Sequence, residues 1–347
     1  MGRSANPPPR RSLRILRRRL ITEAEAVGAA LGAHGPAAAE KFVAEVFWRT
    51  YFKGHLETRP QIWADYLARA AAGHERLARE PGLARAYEAA VEGRTGIECF
   101  DDWARELVEN NWLHNHTRMW FASIWIFTLG LPWALGAEHF FAHLIDGDPA
   151  SNTLSWRWVA GLHTRGKCYA ATQDNIARYT DGRYRPGGLN EHPRALDEPD
   201  PGPARTLPPA DAAPTSEIAL LLHLDDLHPE GLMLNGARVV RVAGLAVSAP
   251  GAAARVLAAD AEAMADGLAR ASAHFGCPVV EAGEGWADDL PVVTAYAPVG
   301  PSADALPPAL QVRREWDDAT WPHATKGFFN VKAAIPRVLD RVGVAPA

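Results

Sequence analysis

The chain has 347 residues, 48% of them apolar, and a formal net charge of −5, which is length enough for two domains with a core each. No run of about 18 uncharged apolar residues marks a membrane span, and the basic N-terminus lacks the apolar stretch of a signal peptide. Three widely separated cysteines, Cys99, Cys168 and Cys277, argue against a disulfide framework or a four-cysteine cluster. A cytoplasmic protein with no membrane partner is expected.

Residues 1–24 read as a basic arm in which Arg10, Arg11, Arg14, Arg17, Arg18 and Arg19 crowd together. Such a patch either grips phosphate or lies solvated. Thr22 with Glu25 makes a capping box, opening a helix that should fade near Gly32–Pro36. Further helices are expected over Ala38–Leu56, Gln61–Arg79, Ala84–Glu92, Asp101–Asn110, Leu113–Leu129 and Gly136–Leu144, with no period-2 strand among them. Nine of the twelve tryptophans precede residue 183, so the aromatic core belongs to this helical part. Residues 183–215 carry eight prolines and no apolar periodicity, the mark of a linker or an extended strap. Beyond them, Ile218–Leu224, Val239–Val247, Val279–Val280 and Leu290–Ala295 suit buried strands. Ala252–Phe275 reads as an amphipathic helix, and a last helix spans about Val331–Val342. The expected class is mainly α: a helical domain over 25–182, a linker over 183–215 and a small α/β domain over 216–347.

Three segments of the helical part stand out. Glu45, Trp48 and Arg49 share one helix face, although a Glu45–Arg49 ion pair and a core Trp48 would account for them equally well. Gly93-Arg-Thr-Gly96 precedes Asp101, and Trp112-Leu-His-Asn115 opens a helix on which Asn115, Arg118 and Met119 share a face. Leu144-Ile-Asp146-Gly-Asp148-Pro-Ala-Ser-Asn152 runs on to Trp156 and Trp158. Asp-Gly-Asp alone is a weak signal, and Pro149, Ala150 and Ser151 do not supply the alternating oxygens of a calcium loop. In the C-terminal part, His223-Leu-Asp225-Asp226-Leu-His228 is a tempting metal set. On a strand, however, its members face opposite ways, so a turn with solvated charges is expected and no metal site. His114-Asn115-His116 lacks the ββα context of a nuclease motif.

Taken together and in this order, the three segments resemble the flavin domain of the DNA photolyase/cryptochrome family, over roughly residues 20–182. The resemblance implies FAD held by Arg49, Asn115, Arg118, Asp146, Asp148 and Asn152, with Asn152 facing flavin N5. It implies a lesion-facing set of Glu45, Trp48, Asn115, Met119 and Trp158, with DNA containing cyclobutane pyrimidine dimers as the partner. Two aromatic faces would stack on flipped bases, and a carboxyl group would hydrogen-bond a thymine edge. The implied reaction is light-driven: excited reduced flavin donates an electron, the ring splits, and the electron returns. Trp156 and Trp133 match the inner and middle members of the family's electron-transfer chain. The outer member falls near Glu80, where there is no Trp, and Trp63, Trp103, Trp120 or Trp125 would have to provide another exit.

The chain departs from the family pattern in three ways. The segment that grips the flavin phosphates is replaced near Arg10–Leu20, where Ser12 and the arginines are all that remain. The N-terminal α/β domain that holds an antenna pigment is missing, so no antenna is expected. Residues 216–347 follow the flavin module and read as an added domain. Light-driven dimer repair is therefore the leading expectation. A flavin photoreceptor that signals to a protein partner through the C-terminal domain, and a non-photochemical DNA-binding remnant, are the alternatives.

Overall fold

The computed structural model describes residues 15–344; Arg10, Arg11, Ser12 and Arg14 lie outside them. The described residues divide into two compact units. One comprises the described residues up to Pro60, Pro203–Ser248 and those from Leu257 onward; the other comprises Gln61–Gly202 and Ala249–Val256. These units cut across the linear order expected from sequence, because the first long helix groups with the sheet.

That helix, α1 (Glu23–Glu57), opens at the expected capping box, with the Thr22 hydroxyl accepting from the Glu25 amide and the Glu25 carboxylate accepting from the Thr22 amide. The fading expected near Gly32–Pro36 is a kink: Gly35 turns to φ 71°, and Pro36 follows within the same helix. The left-handed φ is open to glycine at no steric cost. The apolar stripe Val27, Leu31, Val43, Val46, Phe47 and Tyr51 is buried against the C-terminal helices, which are named below. This burial explains why α1 belongs with the C-terminal part and not with the helices that follow it.

Four parallel strands, β1 (Glu217–His223), β2 (Arg238–Leu245), β3 (Val292–Ala295) and β4 (Leu310–Val312), form a sheet in the order β2-β1-β3-β4. β1 is central and buried on both faces from Ile218 onward, as its uninterrupted apolar run requires. The expected Val279–Val280 strand is reduced to a single bridge, Val242 to Val279. Helix α9 (Ala254–Phe275) connects β2 to β3, and α10 (Pro301–Ala305) connects β3 to β4. The chain then closes with α11 (Glu315–Thr320) and α12 (Phe328–Arg341), which pack on α1.

At the end of β1 the structure overturns two expectations. Arg17, Arg18 and Arg19 are neither solvated nor free for phosphate, and Asp225 and Asp226 are not a solvated turn: all five are buried. Arg17 pairs with Asp225 at 2.7 Å and Arg18 with Asp260. Arg19 meets Glu23 at 2.9 Å, Asp317 at 2.7 Å and Asp226 at 3.3 Å. Arg314 clamps both oxygens of Asp226 at 2.6 and 2.7 Å. The reason is mutual: each charge is too costly to bury alone, and paired with hydrogen bonds it is tolerated. Burial pushes the carboxyl of Asp226 up, but Arg314 and Arg19 more than offset this and hold it well below the usual carboxylate range. His223 Nε2 lies 2.9 Å from the Ala295 carbonyl and its Nδ1 3.2 Å from the Asp225 amide, so backbone groups hold the ring from both sides. No group of side chains that could hold a metal is found among the described residues.

The other unit is helical. α2 (Gln61–Arg79), α3 (Pro81–Val91), α4 (Glu98–Asn110), α5 (Asn115–Ser123), α6 (Trp133–His143), α7 (Pro149–Val159) and α8 (Gln173–Tyr179) follow in order. The single long helix expected over Leu113–Leu129 is α5 continued by a π turn, Ile124–Thr128. Residues 184–202 run as a strap. Leu196 donates to the Ala160 carbonyl, and Glu198 reaches Arg69, Arg157 and the indole of Trp133. No helix among the described residues is long and apolar enough to cross a membrane.

Candidate functional site

In the helical unit, the turn that carries Asp146 and Asp148 is built from its flanks. Asn111, in the left-handed conformation at the end of α4, accepts the Ile145 amide and donates its side-chain amide to the His143 carbonyl. Gly93-Arg-Thr-Gly96 is pinned in turn by Asp101, whose carboxylate accepts the Thr95 and Gly96 amides and the Thr95 hydroxyl at 2.7–2.9 Å. Gly93 has φ 65°, and a Cβ there would strike the Asp101 carbonyl. The motif's glycine and aspartate are thus structural residues.

Asp148 caps α7, accepting the Ser151 amide at 2.8 Å, with Pro149 at the first helical position. Arg118 bridges both oxygens of Asp146 at 3.0 and 3.1 Å, and its Nε donates to the Leu113 carbonyl. Asn152 lies one turn into α7, and its Nδ2 donates to the Ala137 carbonyl at 2.7 Å. That bond fixes the amide and leaves Oδ1, an acceptor, as the uncommitted end. Asn115 stands exposed at the start of α5, with Met119 half-buried one turn on. Trp158, more than a third exposed, stacks on Tyr169 with centroids 5.5 Å apart.

Trp156 and Trp133 are both buried. The ring neighbours of Trp156 are Trp125, at 6.2 Å, and Phe140, at 5.1 Å. Trp133 lies by Tyr66, at 6.0 Å, under the Arg157 guanidinium, and donates its indole N–H to Glu198. Sequence reasoning passed over Tyr87 and His139, which flank Trp125 at 5.8 and 6.4 Å; nothing in their local sequence marks them.

The other unit holds Glu45, Trp48 and Arg49 on α1. Glu45 and Arg49 form no ion pair with one another, so the simple helix-pair reading fails. The Nη2 of Arg49 is buried with no hydrogen-bond partner among the described residues, an open donor suited to an acceptor-rich ligand. Glu45 lies at the surface, yet partial desolvation raises its carboxyl. Trp48 stacks face to face on Phe328 of α12, with centroids 3.8 Å apart and planes 12° from parallel. Phe328 was not anticipated from the sequence. The predicted site residues are therefore shared between the two units, Glu45, Trp48 and Arg49 in one and the remainder in the other.

Residues 42–182 match the family described as the FAD binding domain of DNA photolyase, and every residue discussed from Glu45 to Trp158 lies within that span. The chain is similar to the deoxyribodipyrimidine photo-lyase of Streptomyces griseus, with 38% identity over 126 residues, covering 36% of this chain and 26% of that protein. It is similar to that of Escherichia coli K12, with 30% identity over 125 residues and the same shares. The Vibrio cholerae protein of the same name is 29% identical over 134 residues, covering 33% of this chain and 29% of its own length. The chain thus spans about a quarter of the length of the curated relatives it matches. No solved structure matches it.

Proposed function

Because residues 42–182 belong to the FAD-binding domain family of the DNA photolyases, we propose that this chain holds FAD and uses it in the light-driven splitting of cyclobutane pyrimidine dimers in DNA. The observation that carries the reading is Asn152, whose amide nitrogen is pinned to Ala137 so that a neutral acceptor oxygen is presented one turn above the Asp148 cap. When bound, reduced FAD supplies the photoexcitable electron that opens the cyclobutane ring.

This chain's residues would bind and orient. Asn152 Oδ1 accepts a hydrogen bond without adding negative charge, which suits a cofactor that is itself anionic when reduced. Arg118 is held in place by Asp146 and keeps a positive charge at the same turn. In the sheet-bearing unit, the Nη2 of Arg49 is a buried donor without a hydrogen-bond partner among the described residues. Glu45, its carboxyl raised by partial desolvation, offers a carboxyl group for hydrogen bonding to a thymine edge. Trp158 offers an exposed aromatic face to a flipped base. Since Arg17, Arg18 and Arg19 are committed to carboxylates, phosphate grip does not come from them.

The test is absorption of the purified chain with added FAD, followed by a repair assay on dimer-containing DNA under blue light with a reductant. Flavin uptake with repair supports the proposal; uptake without loss of dimers sinks it. A second reading, a flavin photoreceptor, is favoured by one observation: Phe328 of the C-terminal helix already covers a face of Trp48. Light-dependent change in oligomeric state or partner binding, with dimers left intact, would select it.

A further inference from the structure

We propose that an electron vacancy formed on Trp156 leaves through Trp125 to Tyr87, which makes Tyr87 the outer terminus of this chain's electron relay. The inference rests on the flavin reading above and names the exit that the absence of Trp at position 80 leaves open.

Three rings form a continuous contact series within the helical unit. Trp156 meets Trp125 edge-on, with centroids 6.2 Å apart and planes at 85°; Trp125 meets Tyr87 edge-on, at 5.8 Å and 87°. Both separations fall in the range of direct aromatic contact. Trp125 is fully buried, whereas Tyr87 is half-buried and reaches solvent. The first junction is built deliberately into α6: Gly136 sits where a Cβ would collide with both Trp156 and Trp125. A glycine in a helix interior costs stability of roughly 0.5–1 kcal/mol relative to alanine, and here it lets two indoles close on one point.

The competing branches are less suited. Among the described residues, Trp133 has no ring contact with Trp156; its ring partner is Tyr66, which leads to Trp63 at 5.2 Å, and both of these are buried. Trp103 and Trp120 stack on each other at 5.5 Å, and among the described residues neither has a ring contact with Trp125 or Trp156. Beside Trp125 the stacked imidazole is His139, which burial and His143 push down to about 3. It stays uncharged at neutral pH and does not oppose the vacancy. The indole N–H of Trp125 donates to the Pro132 carbonyl, so the positive charge rests on a ring with an acceptor already in place.

The balance is one electron and one proton. With FAD bound, its photoexcited oxidised form would supply the one-electron acceptor; Trp156 gives up that electron, Trp125 refills Trp156, and Tyr87 refills Trp125. The oxidised phenol of Tyr87 releases its proton to solvent, leaving a neutral tyrosyl radical. A thiol-class reductant in solution then returns one electron and one proton, restoring the phenol.

The experiment uses the full chain with FAD, first scored for flavin uptake by absorption. It is then illuminated with blue light without added thiol, frozen at once, and examined by electron paramagnetic resonance, with ring-deuterated tyrosine to identify the radical; a parallel sample given thiol before freezing should lose the tyrosyl signal. The expected result is a tyrosyl signal in the parent chain that is lost in Tyr87→Phe and kept in Trp133→Phe. Trp125→Phe should lose it too; because Trp125 is core, Tyr87→Phe keeps the test decisive if that variant does not fold. A tyrosyl signal that survives Tyr87→Phe, or disappears in Trp133→Phe, overturns the inference while leaving the flavin reading intact. A chain that takes up no flavin overturns both.

Discussion

In the sheet-bearing unit, Arg17, Arg18, Arg19 and Arg314 are buried and each is answered by a carboxylate at hydrogen-bond distance. In the helical unit the same residue types, Arg118, Asp146 and Asp148, sit at a turn beside a fixed Asn152 whose acceptor oxygen is uncommitted. One network is saturated by its own chain, and the other is arranged with capacity left over. Residue type does not separate structure from function here; saturation does.

The largest effect expected from this contrast is in the saturated network. Arg19→Ala leaves Glu23, Asp226 and Asp317 buried around a missing cation, and removing one partner of a buried pair costs about 3–5 kcal/mol. Urea denaturation should show a loss of that order; a loss within error would mean that the network relaxes and that the contrast between units is overdrawn.

Acid should act in the same place. Burial raises the carboxyls of Asp225 and Asp226, but Arg17 for the first and Arg314 for the second reverse the sign, and both end below their ordinary value. A carboxyl depressed in the folded state contributes stability above its unfolded pKa, about 3.9, and loses it as pH falls through the folded one. Denaturation midpoints should therefore be flat near neutrality and fall progressively below about pH 4. In Arg314→Ala that acid-dependent fall should shrink. An unchanged pH profile would remove these pairs as its source.

In the helical unit the ranking reverses. Asn152→Ala removes one hydrogen bond to Ala137, worth about 1 kcal/mol, and should barely move the denaturation midpoint. Its expected cost appears in flavin retention and in the yield of photoreduction, both read by absorption. A variant that is strongly destabilised and retains flavin normally would place Asn152 with the structural residues.

The contrast also shows which parts of the molecule local sequence can carry. Gln61–Arg79 is legible to the residue, because its amphipathic period runs up to Glu80 and is stopped by Pro81. The Arg118–Asp146 turn is legible because its partners sit in motifs with fixed spacing. β4 is not: its three residues after a proline pair have no period of their own and become a strand only by register with β3. The pairing of Arg19 with Asp226 spans 207 positions, and no local pattern announces it. The same holds for Phe328 on Trp48 and Tyr87 on Trp125, contacts that depend on which helices pack together.

The smallest expected effect uses the same chemistry in water. Arg76 and Glu80 share the i, i+4 spacing of Arg19 and Glu23 and have better geometry, with two bonds of 2.8 and 3.0 Å, but both side chains are about half exposed. Solvent screens such a pair, and ordering two long side chains offsets what attraction remains. The orientation is also the poorer one, with the cation N-terminal to the anion on α2. Glu80 gains a little back by standing ahead of Pro81 at the start of α3, where a negative charge faces the helix N-terminus. Arg76→Ala should thus leave the urea midpoint unchanged within error at physiological salt, against the large loss in Arg19→Ala. A comparable loss in the two variants would show that spacing, and not burial, sets the strength of these pairs.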